Sequence, residues 1–133
     1  MAQKLSLPSI AAVAGLMLFA AQPATAGDVA KEIATAAAHA GMAAGSADMK
    51  MVQAHLQHVV NCLVGPAGVG YDSNQANPCK EQGFGAIPDA SMEKKAPLEA
   101  ALKIVEDGTK ETDMAKAKEK ATTAQAALSK LAM

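Results

Sequence analysis

The chain has 133 residues, 50% of them hydrophobic, a formal net charge of −1, and only one tyrosine, two phenylalanines and no tryptophan. Every basic side chain is a lysine, so there is no guanidinium fork for phosphate or guanine and almost no ring for a base to stack on, which argues against nucleic acid as a partner. A core made of Ala, Leu, Val, Ile and Met buries little area per side chain, at about 0.8 kcal/mol per methylene, so so small a domain gains from a covalent staple.

The chain opens with Lys4 in a short polar lead, an apolar run from about Ile10 to Ala21, and then Ala24, Thr25 and Ala26, the small-residue pattern a signal peptidase cuts. The apolar run is well short of the roughly 20 residues that span a bilayer. Residues 1–26 therefore read as a cleaved signal peptide, with residues 27–133 as one domain in the periplasm or secreted, and no membrane attachment after cleavage. Removing 26 of 133 residues leaves 107, the size of one modest domain. All 13 acidic residues lie beyond residue 26 and Lys4 is lost, so the mature charge is 11 minus 13, or −2.

From Asp28 to Ala44 strong helix formers dominate, with Val29, Ile33, Ala36 and Ala40 on one face. Gly45 and Ser46 break this first helix, and Ser46 is the expected N-cap of a second reaching Leu63, with Val52, Leu56, Val59 and Leu63 as its apolar stripe. Residues 65–91 hold five glycines, three prolines and two asparagines without periodicity and read as one long irregular connection. Cys62 stands at its entrance and Cys79 inside it. In an oxidising compartment this pair reads as a disulfide, closing a loop of about 18 residues for on the order of 3 kcal/mol in the chain-entropy model.

Helical composition returns after Ser91, with the stripe Leu98, Leu102 and Val105 ending at Gly108, and Pro97 marking a kink or a fresh start. Thr109 or Thr112 is the expected cap of a last helix from Asp113 to about Leu131, with Met114, Ala121 and Leu128 facing inward. The expected fold is all-α: a small antiparallel four-helix bundle with a long disulfide-tied loop between helices two and three.

All three histidines, His39, His55 and His58, fall in the first two helices. Met51, His55, His58 and Cys62, at helical offsets of 4, 7 and 11, share one side of helix two, and His39 can meet them across the helix pair. Two imidazoles three residues apart project from successive turns as a metal clamp that suits zinc, copper or nickel, and a thioether such as Met51 or Met42 favours Cu(I). Asp48, a methionine, water or a second chain would complete such a site.

Other chemistries find less support. The six methionines after residue 26 are spread over several helices, as flexible core filler usually is. Covalent haem lacks its Cys-x-x-Cys-His, and noncovalent haem lacks aromatic walls. No HExxH motif occurs, and the glycines at 65, 68 and 70 neither follow a strand nor precede Gly-Lys-Ser/Thr, so catalysis is not expected.

The stretch Ala38-His39-Ala40, followed by Met51-Val-Gln-Ala-His55-Leu-Gln-His58-Val-Val, resembles the small metal-binding proteins of the bacterial periplasm, the SmbP-like family. The likeness covers roughly residues 28–64. It implies a compact helical bundle that binds divalent metals including copper, with His39, His55 and His58 as the corresponding ligands. The chain departs from that family in having three histidines where the family is rich in them, and in adding the Cys62–Cys79 loop, so one specific site is expected in place of high-capacity storage. Together these features lead to an expectation of metal buffering or delivery, with copper favoured, through His55, His58 and His39 with Met51 or Asp48 assisting. A homodimer or a periplasmic protein is the expected partner besides the metal. The alternatives are a metal-free interaction module presenting the Gly65–Asp89 loop, or a haem-binding bundle.

Overall fold

The computed structural model describes residues 27–133; the signal-peptide reading of residues 1–26 lies outside it. Among the described residues there are five helices and no strand: α1 Val29–Gly45, α2 Met49–Val64, α3 Ala86–Asp89, α4 Met92–Lys110 and α5 Met114–Leu131. No helix among them is long and apolar enough to cross a membrane.

Three of the long helices start on an aspartate. Asp28, Asp48 and Asp113 accept from the backbone N–H of Lys31 (3.0 Å), Met51 (2.9 Å) and Lys116 (2.9 Å), each satisfying one otherwise orphaned first-turn donor. This corrects the expected caps. Ser46 instead closes α1, its hydroxyl donating to the Met42 carbonyl at 2.8 Å, and Thr109 lies inside α4, donating to Glu106 O at 2.8 Å. A carboxylate caps as well as a hydroxyl and adds a favourable charge at the positive end of the helix dipole, so aspartate prevails where both are near.

Helix α4 runs past the expected stop at Gly108 to Lys110 and passes through Pro97 without a break. Gly108 is buried because α2 and α5 meet there: a Cβ on it would stand 3.0 Å from Leu56 Cδ1 and 3.1 Å from Lys120 Cβ. It is therefore a packing glycine, not a terminator.

Helix α1 packs on α2 and α5, and α4 packs on α2 and α5. The large fully buried side chains Ile33, Leu56, Leu63, Leu98 and Leu128 form the centre. Where α1 meets α5 both inward faces are alanine, with Ala36, Ala40 and Ala43 on one helix and Ala117, Ala121 and Ala124 on the other all buried. Met114, expected to face inward, is 40% exposed.

The connection between α2 and α4 contains the short helix α3, which periodicity cannot reveal at four residues. Three ties hold it down. Cys62 and Cys79 form the expected disulfide, with α-carbons 5.1 Å apart. Buried Asn61 donates through Nδ2 to the carbonyls of Asp72 (2.9 Å) and Ala76 (3.0 Å), while its Oδ1 accepts from Asp72 N (2.9 Å). At the loop's two ends Gly65 (φ 70°) and Gly85 (φ 120°) lie back to back, and a Cβ on either would collide with the backbone of the other segment. An otherwise shapeless segment is thus packed against the end of α2.

Candidate metal centre

Helices α1 and α2 place three imidazoles at one point of their contact. His39 comes from α1; His55 and His58 come from α2 at a three-residue step that puts both on one face. The ring centroids are 5.6 Å apart for His39–His55, 5.3 Å for His39–His58 and 5.4 Å for His55–His58. One ring nitrogen from each residue lies within 4.8 Å of the others, and all three residues are half-buried.

His39 Nδ1 and His55 Nδ1 are 3.4 Å apart. That is long for a hydrogen bond, whose ordinary donor–acceptor range is about 2.7–3.2 Å. It matches the separation of two nitrogens bound at about 2.0–2.1 Å to one tetrahedral ion, which is about 3.4 Å. His58 adds a buried Nδ1 with no hydrogen-bond partner among the described residues. Such an atom is costly to leave unpaired and is relieved by a proton donor or a cation.

The electrostatics keep His39 and His58 ready to ligate. Burial pushes His39 below its usual 6.5, and the neighbouring His58 and His55 push it further. Burial likewise lowers His58, with His55 adding to the effect and the Gln75 side chain opposing it. A metal needs the neutral imidazole, so both shifts favour the binding form.

The other expected ligands have the following places. The Asp48 carboxylate is engaged as the α2 cap, and it is not one of the residues whose ligand atoms converge. Met51 is exposed at the start of α2, and Met42 is exposed near the end of α1. Cys62 is spent in the disulfide and so supplies no thiolate. Two residues beside the site escaped the sequence reading. Asn61, one turn beyond His58, organises the loop, and Gln75 on that loop reaches His58. Asn61 was legible only as a polar residue interrupting the apolar end of α2; for Gln75 the sequence carries no signal.

The three histidines form a group that could hold a metal ion, on a helical scaffold stapled by one disulfide. Comparison of the chain with family models, with curated proteins and with solved structures gives no match in any of the three.

Proposed function

We propose that this protein is an exported, non-catalytic metal carrier that binds one transition-metal ion, copper in preference to zinc or nickel, through His39, His55 and His58, and serves in periplasmic buffering or delivery. The observation that carries this reading is the convergence of three ring nitrogens within 4.8 Å of one another. The resemblance of residues 28–64 to the SmbP-like proteins points the same way. In this reading the four long helices form an antiparallel bundle whose α1–α2 pair acts as a rigid clamp.

Copper is favoured by the ligand chemistry. Cu(I) accepts three imidazole nitrogens and has affinity for thioethers. Met42 and Met51 stand one helical turn from His39 and His55 and are exposed, where they suit a transient hand-over of the ion. The single half-buried site suits delivery better than bulk storage. Titration of the mature chain with Cu(I), Cu(II) and Zn(II) tests this. One ion bound per chain and lost in the His55→Ala/His58→Ala double variant is expected, whereas equal affinity in parent and variant would remove the site.

A second reading is favoured by a separate feature. Val64, Ala67, Val69, Phe84, Ile87 and Leu102 line an open cleft of about 390 Å³ where the loop meets α4. Phe84 is 62% exposed there. An exposed apolar cleft offers a surface for a small contact, and in this second reading the Gly65–Asp89 loop would present an interaction module. A partner that is retained with chelator but lost in the Val69→Ser/Phe84→Ser variant would support this reading over the metal carrier.

A further inference from the structure

Among the described residues Glu32 is the one charged side chain that is fully buried, at 0% exposure. Its Oε1 accepts the backbone N–H of Gly85 at 2.9 Å, and its Oε2 meets no N–H or O–H donor among the described residues. Asp89 of α3 turns its carboxylate to the same spot, accepting from Phe84 N at 2.7 Å. The ion pair formed among the described residues, Lys103–Asp107, involves neither of them. Two carboxyl groups thus meet, one buried and one half-buried, with no cation between them among the described residues.

The residue pressed against that place is Gly27. A Cβ on Gly83 would run into Asp89 Oδ2, stand 2.6 Å from Glu32 Oε1 and 2.8 Å from the Gly27 α-carbon. A Cβ on Gly27 would run into Asp89 Oδ2 and stand 2.6 Å from the Gly83 α-carbon. The Gly27 nitrogen, one bond of about 1.5 Å from its α-carbon, therefore lies within a few ångströms of Asp89 Oδ2, with Glu32 Oε1 across Gly83. The segment is pinned there by the Asp28 N–H, which donates to Gln82 O at 2.7 Å. Ala24, Thr25 and Ala26 place the expected signal-peptidase cut immediately before this glycine.

We propose that cleavage after Ala26 creates the missing cation, so that the new α-ammonium group of Gly27 becomes the counter-ion of the Glu32–Asp89 carboxyl pair and locks the start of α1 onto the loop. The step is a hydrolysis: water supplies the hydroxyl that completes the Ala26 carboxyl group, the Ala26–Gly27 amide bond breaks, and the released amine takes up a proton. In the uncleaved chain the same nitrogen is a neutral amide. The Glu32 carboxyl is then held up to about 7, chiefly by burial, with repulsion from Asp89 and Asp28 and a side-chain hydrogen bond with Asp89 adding to the effect and the Gly85 N–H opposing it. An adjacent ammonium reverses that balance, because an opposite charge within a few ångströms favours the ionised form. The site is separate from the histidine cluster and stands whether or not that cluster binds metal.

The test uses the full chain carrying, ahead of Gly27, the recognition sequence of a protease that cuts before glycine, studied before and after cutting. Mass spectrometry of protein exported from a bacterial host first establishes the natural N-terminus, expected at Gly27. After cutting, NMR of ¹⁵N-glycine-labelled protein should show the Gly27 amine titrating about one unit or more above the usual 7.7–8.0 of an α-amino group. The thermal midpoint at pH 7 should rise by about 4 °C or more, and the rise should shrink in Glu32→Gln. Should that variant fail to fold, the amine titration of the parent still decides. A natural N-terminus elsewhere, or an amine with its ordinary pKa and a midpoint unmoved or lowered by cutting, would overturn the proposal.

Discussion

His39 Nδ1 and His55 Nδ1, carried by different helices, lie 3.4 Å apart. Neutral imidazoles can share one hydrogen bond at such a contact, but three rings meeting at a point leave at least one nitrogen unserved, and His58 Nδ1 is such an atom. A single ion could be held by one ring nitrogen of each residue at once. The helix pair would hold the ligands near binding geometry before the metal arrives, which lowers the ordering cost of capture.

Removing any one of the three rings should weaken metal binding by about 10- to 100-fold, a change of roughly 1.4–2.8 kcal/mol. Single His39→Ala, His55→Ala and His58→Ala variants, compared by competition titration against a chromogenic chelator, check this. Asp48→Asn should leave affinity within about 3-fold, since capping survives that substitution.

Acid should destabilise the metal-free protein through the histidines. His39 and His58 are held below the usual 6.5 in the folded chain. The unfolded chain therefore binds more protons in the window beneath that value, and stability rises with pH across it. The contribution is fully present above about 6.5 and is lost as pH falls through the lowered folded values. Thermal melts between pH 4 and 8 on parent and the His39→Gln/His58→Gln variant, with the latter flatter below pH 6.5, measure the difference.

Asn61 is the linchpin of the loop. Asn61→Ala leaves the Asp72 N–H and the carbonyls of Asp72 and Ala76 without their side-chain partners. A loss of about 2–3 kcal/mol follows, read as a fall in thermal midpoint. Hydrogen exchange should quicken at Asp72 first, and Gln75 should loosen from His58.

Breaking Cys62–Cys79 should cost on the order of 3 kcal/mol while leaving metal affinity intact, because neither sulfur belongs to the histidine group. Urea denaturation and metal titration of the Cys62→Ser/Cys79→Ser variant separate the two effects. Loss of binding along with stability would show that the loop, not the helix pair, positions the ligands.

The parts legible in the sequence were those with a local cause. Alanine and leucine stripes at three- and four-residue steps announced α1, α2 and α5 nearly to the residue, and the i, i+3 pair His55–His58 announced one side of the site. The meeting of His39 with that pair followed from both lying near the inward faces of consecutive helices. Caps were misread because Ser46 and Asp48, or Thr112 and Asp113, satisfy the same rule within two residues. Gly108 misled because glycine serves equally as a stop and as a place for close packing. The hold of Asn61 on the loop, the reach of Gln75 and the meeting of Glu32 with Asp89 depend on tertiary neighbours 11 to 57 positions away, and no window of sequence contains them.

The most direct test of the metal centre is a calorimetric titration of the chain from Gly27 with copper, repeated on the His39→Ala/His55→Ala/His58→Ala variant, with bound metal counted by elemental analysis. Saturation at one ion per chain in the parent, with affinity falling as the medium is acidified below about pH 6 and absent from the variant, is the predicted result. Binding no tighter than about 100 μM, equivalent to roughly −5.5 kcal/mol, or equal binding by parent and variant, would contradict it.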